Sequence, residues 1–234
     1  MVFKKNKKLK TTDPSRKLIA ALDPKSPISE QYKTIRTNIQ YSSIDEELKT
    51  IMVTSSGPAE GKSTTAANLA VVFSQLGKKV LLVDADLRKP TVHRTFAVNN
   101  LFGFTTVLTK QATLANTVVE TEEKDLFILT SGPIPPNPAE LLSSKSMEQF
   151  MEEAKEQFDY VVFDTPPLLA VADPQIIANK VDGSILVVYS GKTEIDQVKK
   201  AKELLVNAQS KLVGVVLNHK EMKDNDYYYY YGTK

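Results

Sequence analysis

The sequence predicts an α/β fold in which helices cover both faces of a mostly parallel sheet. Apolar runs without polar alternation, which suit strands buried on two sides, recur along the chain and end in polar or acidic residues. Longer stretches with helical spacing separate them, and strand–helix alternation with right-handed crossovers builds a parallel sheet. The composition agrees, because 41% hydrophobic and 25% charged residues are typical of a soluble globular protein.

The first strand, predicted at 50–54, leads into a loop that we interpret as a phosphate-binding loop. Residues 56–64 resemble the pattern G-x-x-x-x-G-K-[ST], with Ser56 at the first glycine position, and a helix is predicted from 65 to 73. Backbone N–H groups of such a loop and of the first helical turn favour an anion. We expect a nucleoside triphosphate and Mg²⁺ here, with Lys62 on the β- and γ-phosphates and Ser63 on the metal. The predicted nucleotide-binding residues of the loop are Gly57, Glu60, Gly61, Lys62, Ser63 and Thr64.

Two later strands end in acids. A buried strand within 78–88 ends at Asp84 and Asp86, and the strand at 160–164 ends at Asp164 in a Walker B arrangement. Ligands of an open parallel sheet lie at the carboxyl ends of its strands, so these acids are expected beside the phosphate loop. The Asp164 carboxylate is expected to meet Mg²⁺, usually through water. Plain turn-forming acids are the alternative for Asp84 and Asp86.

Three further strands are predicted at 126–130, 184–189 and 212–217, and helices at 139–157 and 194–207. Asn218 follows the last strand. It is a candidate for a hydrogen bond to the adenine edge, and an ordinary strand-end asparagine is equally compatible with the pattern.

A helix is predicted from Ser29, as its N-cap, to Tyr41. Glu30, Lys33 and Arg36 recur at three-residue steps and form a charged stripe beside the apolar face. The stripe suits either a solvated face with intrahelical ion pairs or a contact between subunits, and the residues leave both interpretations open.

The two ends of the chain are predicted to lie outside the folded domain, which spans 26–222. Residues 1–25 form a basic, flexible arm, which is either solvated or placed against an anionic membrane or an acidic partner. Residues 223–234 are predicted to be a disordered tail with five consecutive tyrosines. These candidate phosphoacceptors, for which a sticky low-complexity terminus is the alternative, are Tyr227, Tyr228, Tyr229, Tyr230 and Tyr231.

Several classes are excluded by composition. Cysteine is absent, so there is no disulfide or thiolate site. No apolar run reaches the roughly 20 residues of a membrane span, and no secretion signal follows Met1. The net charge is +2 and the basic arm carries no recognition motif, so no nucleic-acid partner is expected. These features predict a cytoplasmic protein.

Taken together, these motifs resemble the bacterial tyrosine kinases (BY-kinases) of the capsular and exopolysaccharide type, from about Ser29 to the C-terminus. The resemblance rests on the phosphate loop, the acidic motif at 81–90, the Walker B strand, the segment 132–142 and the tyrosine tail. It implies a P-loop NTPase-like fold. The implied activity is that of an ATP- and Mg²⁺-dependent protein-tyrosine kinase that autophosphorylates its tyrosine cluster, phosphorylates protein substrates and regulates capsule or exopolysaccharide production.

The resemblance also implies roles and partners. Lys62 would contact the phosphates, and the metal ligands would be Ser63, Asp84 and Asp164. Asp86 would accept the tyrosine proton, although Asp84 and Asp86 can be exchanged in that role. The charged stripe corresponds to an oligomerisation motif E-x-x-R-x-x-R, in which Lys33 replaces a bidentate arginine by a weaker point charge. A homo-oligomer is implied, recruited to the inner face of the cell membrane by a separate membrane protein that activates it.

Two other functions remain compatible with the loop. One is a partitioning or division-site ATPase, although Gly57 stands where those proteins carry a second lysine. The other is a non-catalytic nucleotide-binding regulator of polysaccharide export, in which the tail is a docking segment.

Overall fold

The predicted parallel sheet is present in the computed structural model, which describes residues 18–42 and 48–221. The order of its seven strands is β3-β4-β2-β5-β1-β6-β7. All neighbours pair in parallel except β3, which is antiparallel to β4. The strands are β1 (Thr50–Ser55), β2 (Val80–Asp84), β3 (Val119–Glu120), β4 (Leu126–Leu129), β5 (Tyr160–Asp164), β6 (Gly183–Tyr189) and β7 (Leu212–Asn218).

Helices cover both faces of the sheet, as predicted. Successive side chains of a strand point to opposite faces, so Ile51 and Val53 pack against α2 and α3 while Met52 packs in a second core with α8, α9 and α10. The helices are α1 (Ile19–Leu22), α2 (Pro27–Tyr41), α3 (Lys62–Ser74), α4 (Val92–Thr95), α5 (Phe104–Leu108), α6 (Leu114–Thr117), α7 (Pro138–Leu142), α8 (Lys145–Gln157), α9 (Asp173–Ala178) and α10 (Ile195–Asn207). None of the described helices is both long enough and apolar enough to cross a membrane.

Helix α2 begins earlier than predicted. Its N-cap is Ser26, whose side chain accepts from the Ser29 N–H, and Pro27 occupies the first helical turn. A proline at that position has no N–H to satisfy and a φ suited to the helix, so the Ser-Pro pair outcompetes Ser29 as the start. Ser29 is buried instead, and its hydroxyl donates to the Asp23 carbonyl at 2.6 Å.

The single helix predicted at 139–157 is two helices. It breaks between α7 and α8, where Ser144 becomes the N-cap of α8 and accepts from the Met147 N–H. Serine side chains bond nearby backbone groups in non-helical conformations, which favours a break over continuation at Ser143–Ser144.

The basic arm was predicted to run to residue 25, but residues 18–25 belong to the folded part of the chain. Ala20 of α1 is buried, and its N–H donates to the Asn68 side chain at 2.9 Å. Its carbonyl accepts from Gln75 at 3.0 Å, so α1 is fastened to α3 at two points. Apolar residues of α1 also pack in the core that contains α3. The predicted tyrosine tail, and the arm before residue 18, lie outside the described residues.

The loops that contain Gly103 and Gly132 are in backbone contact at the carboxyl edge of the sheet. A Cβ on Gly103 would lie 2.2 Å from the Gly132 nitrogen, so neither backbone leaves room for a side chain at this contact. Gly132 also has a φ of +74°, which favours glycine. The Asn100 side chain ties the two loops together, accepting from the Gly132 N–H at 2.9 Å and donating to the Gly132 carbonyl at 3.1 Å.

Asp182 fastens the opposite, amino edge of the sheet. Its carboxylate accepts from the backbone N–H groups of Lys49 and Thr50, at 3.1 and 2.8 Å, and from Lys155 of α8 at 2.9 Å. Burial alone would raise the pKa of Asp182, but the bonds from Lys155 and Thr50 outweigh it and hold that pKa below its usual value. The ionised carboxylate therefore stabilises the start of β1.

We expect Asp182→Asn to reduce the free energy of unfolding at pH 7 by about 1 kcal/mol, because the charge-assisted bond to Lys155 is lost. A carboxyl whose folded pKa is depressed stabilises above its unfolded pKa, about 4, and this contribution is lost as the pH falls through the folded pKa. Denaturant unfolding from pH 7 to pH 2 should show the two proteins converging below about pH 4. Asp196→Asn, which alters an exposed pair on α10, is the control. A difference that persists at pH 2 would contradict this explanation.

Candidate active site

The loop that we interpret as phosphate-binding lies between β1 and α3, as predicted. Gly61 is the N-cap of α3 with a φ of +94°, and no side chain caps this helix. This positive φ favours glycine, and a Cβ on Gly61 would lie 1.9 Å from the Asn218 amide nitrogen, so that side chain would have to move. The first N–H groups of α3 have no acceptor within the helix and are available to an anion at this end.

Glu60 braces the loop through its side chain. One carboxylate oxygen accepts from the Ser56 N–H at 3.0 Å, and the other accepts from the Thr193 hydroxyl at 2.8 Å. Asn218, at the end of β7, donates to the Glu60 carbonyl at 3.0 Å. Its side-chain oxygen accepts from the His219 N–H. Both polar atoms of Asn218 are thus engaged within the chain, and its predicted contact with adenine stays a prediction.

The Lys62 ammonium lies at the centre of the predicted site. It is 3.1 Å from Asp86 Oδ2, 3.3 Å from Asp164 Oδ1 and 3.2 Å from the Ser63 hydroxyl. Burial would lower the pKa of Lys62, but the Asp164 and Asp86 carboxylates outweigh it and raise that pKa. Lysine therefore stays charged at this position, and the structure brings together four side chains that the sequence assigned to one site.

Asp84 lies next to this group, because Asp84 on β2 and Asp164 on β5 are paired in register. The Asp84 carboxylate accepts from the N–H groups of Thr91 and Val92, both at 2.9 Å, and so holds the start of α4. Burial, followed by repulsion from Asp164, raises the pKa of Asp84 to about 7. Burial also raises the pKa of Asp164, although Lys62 and Ser63 oppose it.

The available oxygens fit a hard divalent cation. Asp84 Oδ1 and Asp164 Oδ2 are buried and, within the described chain, have no hydrogen-bond partner. Across residues 18–42 and 48–221 no cage of three or more acidic, histidine or cysteine side chains is present. Mg²⁺ in nucleotide sites is usually held by only one or two carboxylates together with phosphates and water. The carboxylates of Asp84 and Asp164, with the nearby Ser63 hydroxyl, therefore fit Mg²⁺ better than a metal that needs a complete protein cage.

The charged stripe of α2 makes contacts within its own chain. Lys33 pairs with Glu30 at 2.7 Å and also donates to the Pro24 carbonyl at 2.9 Å. Arg36 donates to the carbonyl of Val72 near the end of α3 at 2.6 Å. The stripe thus joins α2 to neighbouring segments, and its predicted contact between subunits stays a prediction.

One pair near the site was missed from the sequence. Arg88, four residues after Asp84, donates from Nε and Nη2 to the two oxygens of Asp173, at 2.8 and 3.0 Å. Asp173 is fully buried at the start of α9. The Asp-Pro pair at 173–174 is a helix-start signal that was available in the sequence, but nothing local indicates that Arg88 is its partner.

We expect Asn218→Ala to weaken ATP and GTP binding by the same factor, because its amide donates to the Glu60 carbonyl of the loop. Losing one hydrogen bond of about 1 kcal/mol corresponds to roughly a fivefold rise in Kd. Titration with fluorescent ATP and GTP analogues would measure it, and Asn207→Ala at the exposed end of α10 is the control. A loss confined to ATP would assign Asn218 to the adenine edge instead.

Comparison with known proteins identifies the family of this chain. A family model described as an AAA domain matches residues 48–190. Tyrosine-protein kinase YwqD of Bacillus subtilis (strain 168) is 58% identical over 219 residues, covering 94% of this chain and 92% of that protein. Putative tyrosine-protein kinase CapB of Staphylococcus aureus is 41% identical and covers 89% of this chain and 92% of its own length. The crystal structure of the chimerical protein CapA2B2 superimposes with a TM-score of 0.85 at 42% identity, covering 88% of this chain and 90% of that one.

These relatives extend over the phosphate loop, the acidic strand ends and almost all of the described fold. The identity and coverage are sufficient to assign the family rather than the fold alone. The chain therefore belongs to the bacterial tyrosine-protein kinases and is a protein-tyrosine kinase of the P-loop type.

Proposed function

We propose that this kinase transfers the γ-phosphoryl group of ATP to the tyrosines of its own C-terminal cluster, between subunits, and to tyrosines of other proteins. The observation that carries the proposal is the meeting of Lys62, Asp86 and Asp164 at one point. This point lies at the carboxyl edge of the sheet, the same edge from which β7 leads towards the tyrosine cluster.

The roles follow from position and charge. The Lys62 ammonium and the loop amides would bind the phosphates and stabilise the negative charge that develops on the transferred group. Asp86, which already contacts Lys62, would accept the proton of the tyrosine hydroxyl. A bound Mg²⁺ would neutralise charge on the phosphate oxygens, held by Ser63, Asp84 and Asp164. Asp84 is the alternative proton acceptor, since it ends β2 beside Asp164, two residues before Asp86.

Lys62→Ala should abolish phosphotyrosine formation while the fold is kept. Removing one preorganised donor typically costs about 3–4 kcal/mol of barrier, roughly 10²–10³ in rate. Incubation with ATP and Mg²⁺ followed by phosphotyrosine mass spectrometry measures this, and circular dichroism tests the fold. Lys199→Ala, in an exposed pair on α10, is the control. Phosphotyrosine at the wild-type level in the folded Lys62→Ala protein would refute the site.

Chain length alone permits transfer within or between subunits. From Asn218 to Tyr227 there are 9 residues (227 − 218), which span about 30 Å when extended. The strand β7 is two strands from β1, which is about 10 Å. The tail could therefore reach its own site or that of a neighbouring subunit, and an experiment must separate the two routes.

A mixture of two defective chains distinguishes these routes. One chain carries Lys62→Ala and an intact tail, and the other is active but lacks residues 223–234. We expect phosphotyrosine to appear on the Lys62→Ala chain, because only transfer between chains can modify it. The Lys62→Ala chain alone is the control. An unmodified tail in the mixture would mean that transfer between subunits is wrong.

We further propose that phosphorylation loosens an oligomer formed through Glu30, Lys33 and Arg36. Glu30 and Lys33 have half and roughly a third of their side-chain surface exposed, which supports a contact with a neighbour. Each phosphotyrosine adds about −1.5 to −2 charges, so five would place roughly −8 to −10 beside an acidic site. A membrane protein that recruits and activates the kinase, and a role in capsule or exopolysaccharide production, complete the proposal on the basis of the family.

A further inference from the structure

We propose that Arg88 is a positioning residue. Through its ion pair with Asp173 it fixes the loop that carries Asp86, and it thereby sets where the Asp86 carboxylate lies relative to Lys62. This inference rests on the proposed function, because it concerns the geometry of the same transfer site. It assigns a task to a residue that would contact neither substrate.

Asp86 needs such support because it lies beyond the last residue of β2 that pairs with a neighbouring strand. It lies two residues beyond the end of β2, in the loop that leads to α4. Before it, the Ala85 N–H donates to the Asp164 carbonyl at 2.8 Å. After it, the Lys89 N–H donates to Asp86 Oδ1 at 2.9 Å. Ala85 and Leu87, on either side of Asp86, are buried in the core, so the part of the loop that the core does not hold is the segment Arg88–Lys89, which supplies the N–H that orients the Asp86 carboxylate.

The ion pair anchors that path to the core. Arg88 makes two parallel bonds to the Asp173 carboxylate, the bidentate arrangement that fixes direction as well as distance. Asp173 is fully buried, and Ile177 and Ala178 of the same helix belong to the hydrophobic core. Arg88 itself has 42% of its side chain exposed, so the rigid partner is Asp173 and the restrained partner is the loop.

The Arg88–Asp173 pair also connects the two chain segments that follow the acidic ends of β2 and β5. Asp84 and Asp164 are register partners on adjacent strands, and the chain diverges from that point into two loops. One loop reaches Arg88 after four residues, the other reaches Asp173 after nine, and there they meet again. Since like-charged carboxylates repel, this second connection opposes the separation of the two loops that follow Asp84 and Asp164.

A purely structural ion pair predicts a different result from a positioning one. The chain offers a second ion pair for comparison in Lys155–Asp182, which lies at the opposite edge of the sheet and has both side chains partly exposed. If Arg88 only stabilised the fold, breaking either pair would have the same effect on catalysis. If it positions Asp86, only the Arg88 pair affects turnover.

The test uses Arg88→Lys in the full-length kinase, which keeps the charge but loses the two-pronged contact. We expect kcat for tyrosine phosphorylation to fall about tenfold or more, since small misplacements of a reacting group are costly. The KM for ATP should stay within about threefold, because the phosphate-binding loop is untouched. Independently of activity, amide exchange of the nucleotide-free protein should show faster exchange at the Lys89 N–H that bonds Asp86.

Asp173→Asn should give the same kcat loss and the same faster exchange, whereas Lys155→Met should give neither. Equal kcat losses for Arg88→Lys and Lys155→Met, or unchanged exchange at Lys89 in both Arg88→Lys and Asp173→Asn, would overturn the proposal. A wild-type protein that forms no phosphotyrosine would reject the proposed function instead, and the exchange measurement would then decide the positioning role alone.

Discussion

Buried negative charge at two adjacent strand ends is the constraint that governs this kinase. Asp84 and Asp164 are fully buried and lie side by side in register; burial raises the pKa of both carboxyls, and repulsion from Asp164 raises the pKa of Asp84 further. The Lys62 ammonium and the first N–H groups of α4 are the charges and dipoles that make this arrangement tolerable. Much of the surrounding structure, from the glycine at the start of α3 to the loop after β2, serves to deliver these groups to one point.

The two edges of the sheet carry different tasks. At the amino edge, Asp182 and Lys155 hold the start of β1, at the end of the sheet opposite to the proposed transfer site. At the carboxyl edge, the buried Asp84 and Asp164 carboxylates are costly to desolvate, and with Lys62 they form the proposed transfer site. The two edges are separated by the length of the strands. We therefore expect a substitution at one edge to leave the side chains at the other edge in place.

Local patterns in the sequence were enough to predict the parallel sheet, the phosphate loop and the acids that end β2 and β5. Each depends on residues close together in the chain. The predicted start of α2 was wrong, and so was the prediction of one continuous helix where α7 and α8 are separate. In both places several serine and proline residues could begin a helix, and packing decides which of them does. The contacts of Glu60 with Thr193 and of Arg88 with Asp173 join residues 133 and 85 positions apart. Periodicity carries no information about such pairs, so only the folded chain identifies them.

The contact between Gly103 and Gly132 limits which substitutions the two loops that contain these glycines can accept. Each backbone fills the space that a side chain on the other would need, so a substitution at one position cannot be compensated by any choice at the other. Variation in these loops must therefore be found beyond the contact, at exposed positions such as Leu101, Phe102 and Ile134. Substitutions in the two loops should therefore be tolerated on their outer surface and not at the contact between the two glycines.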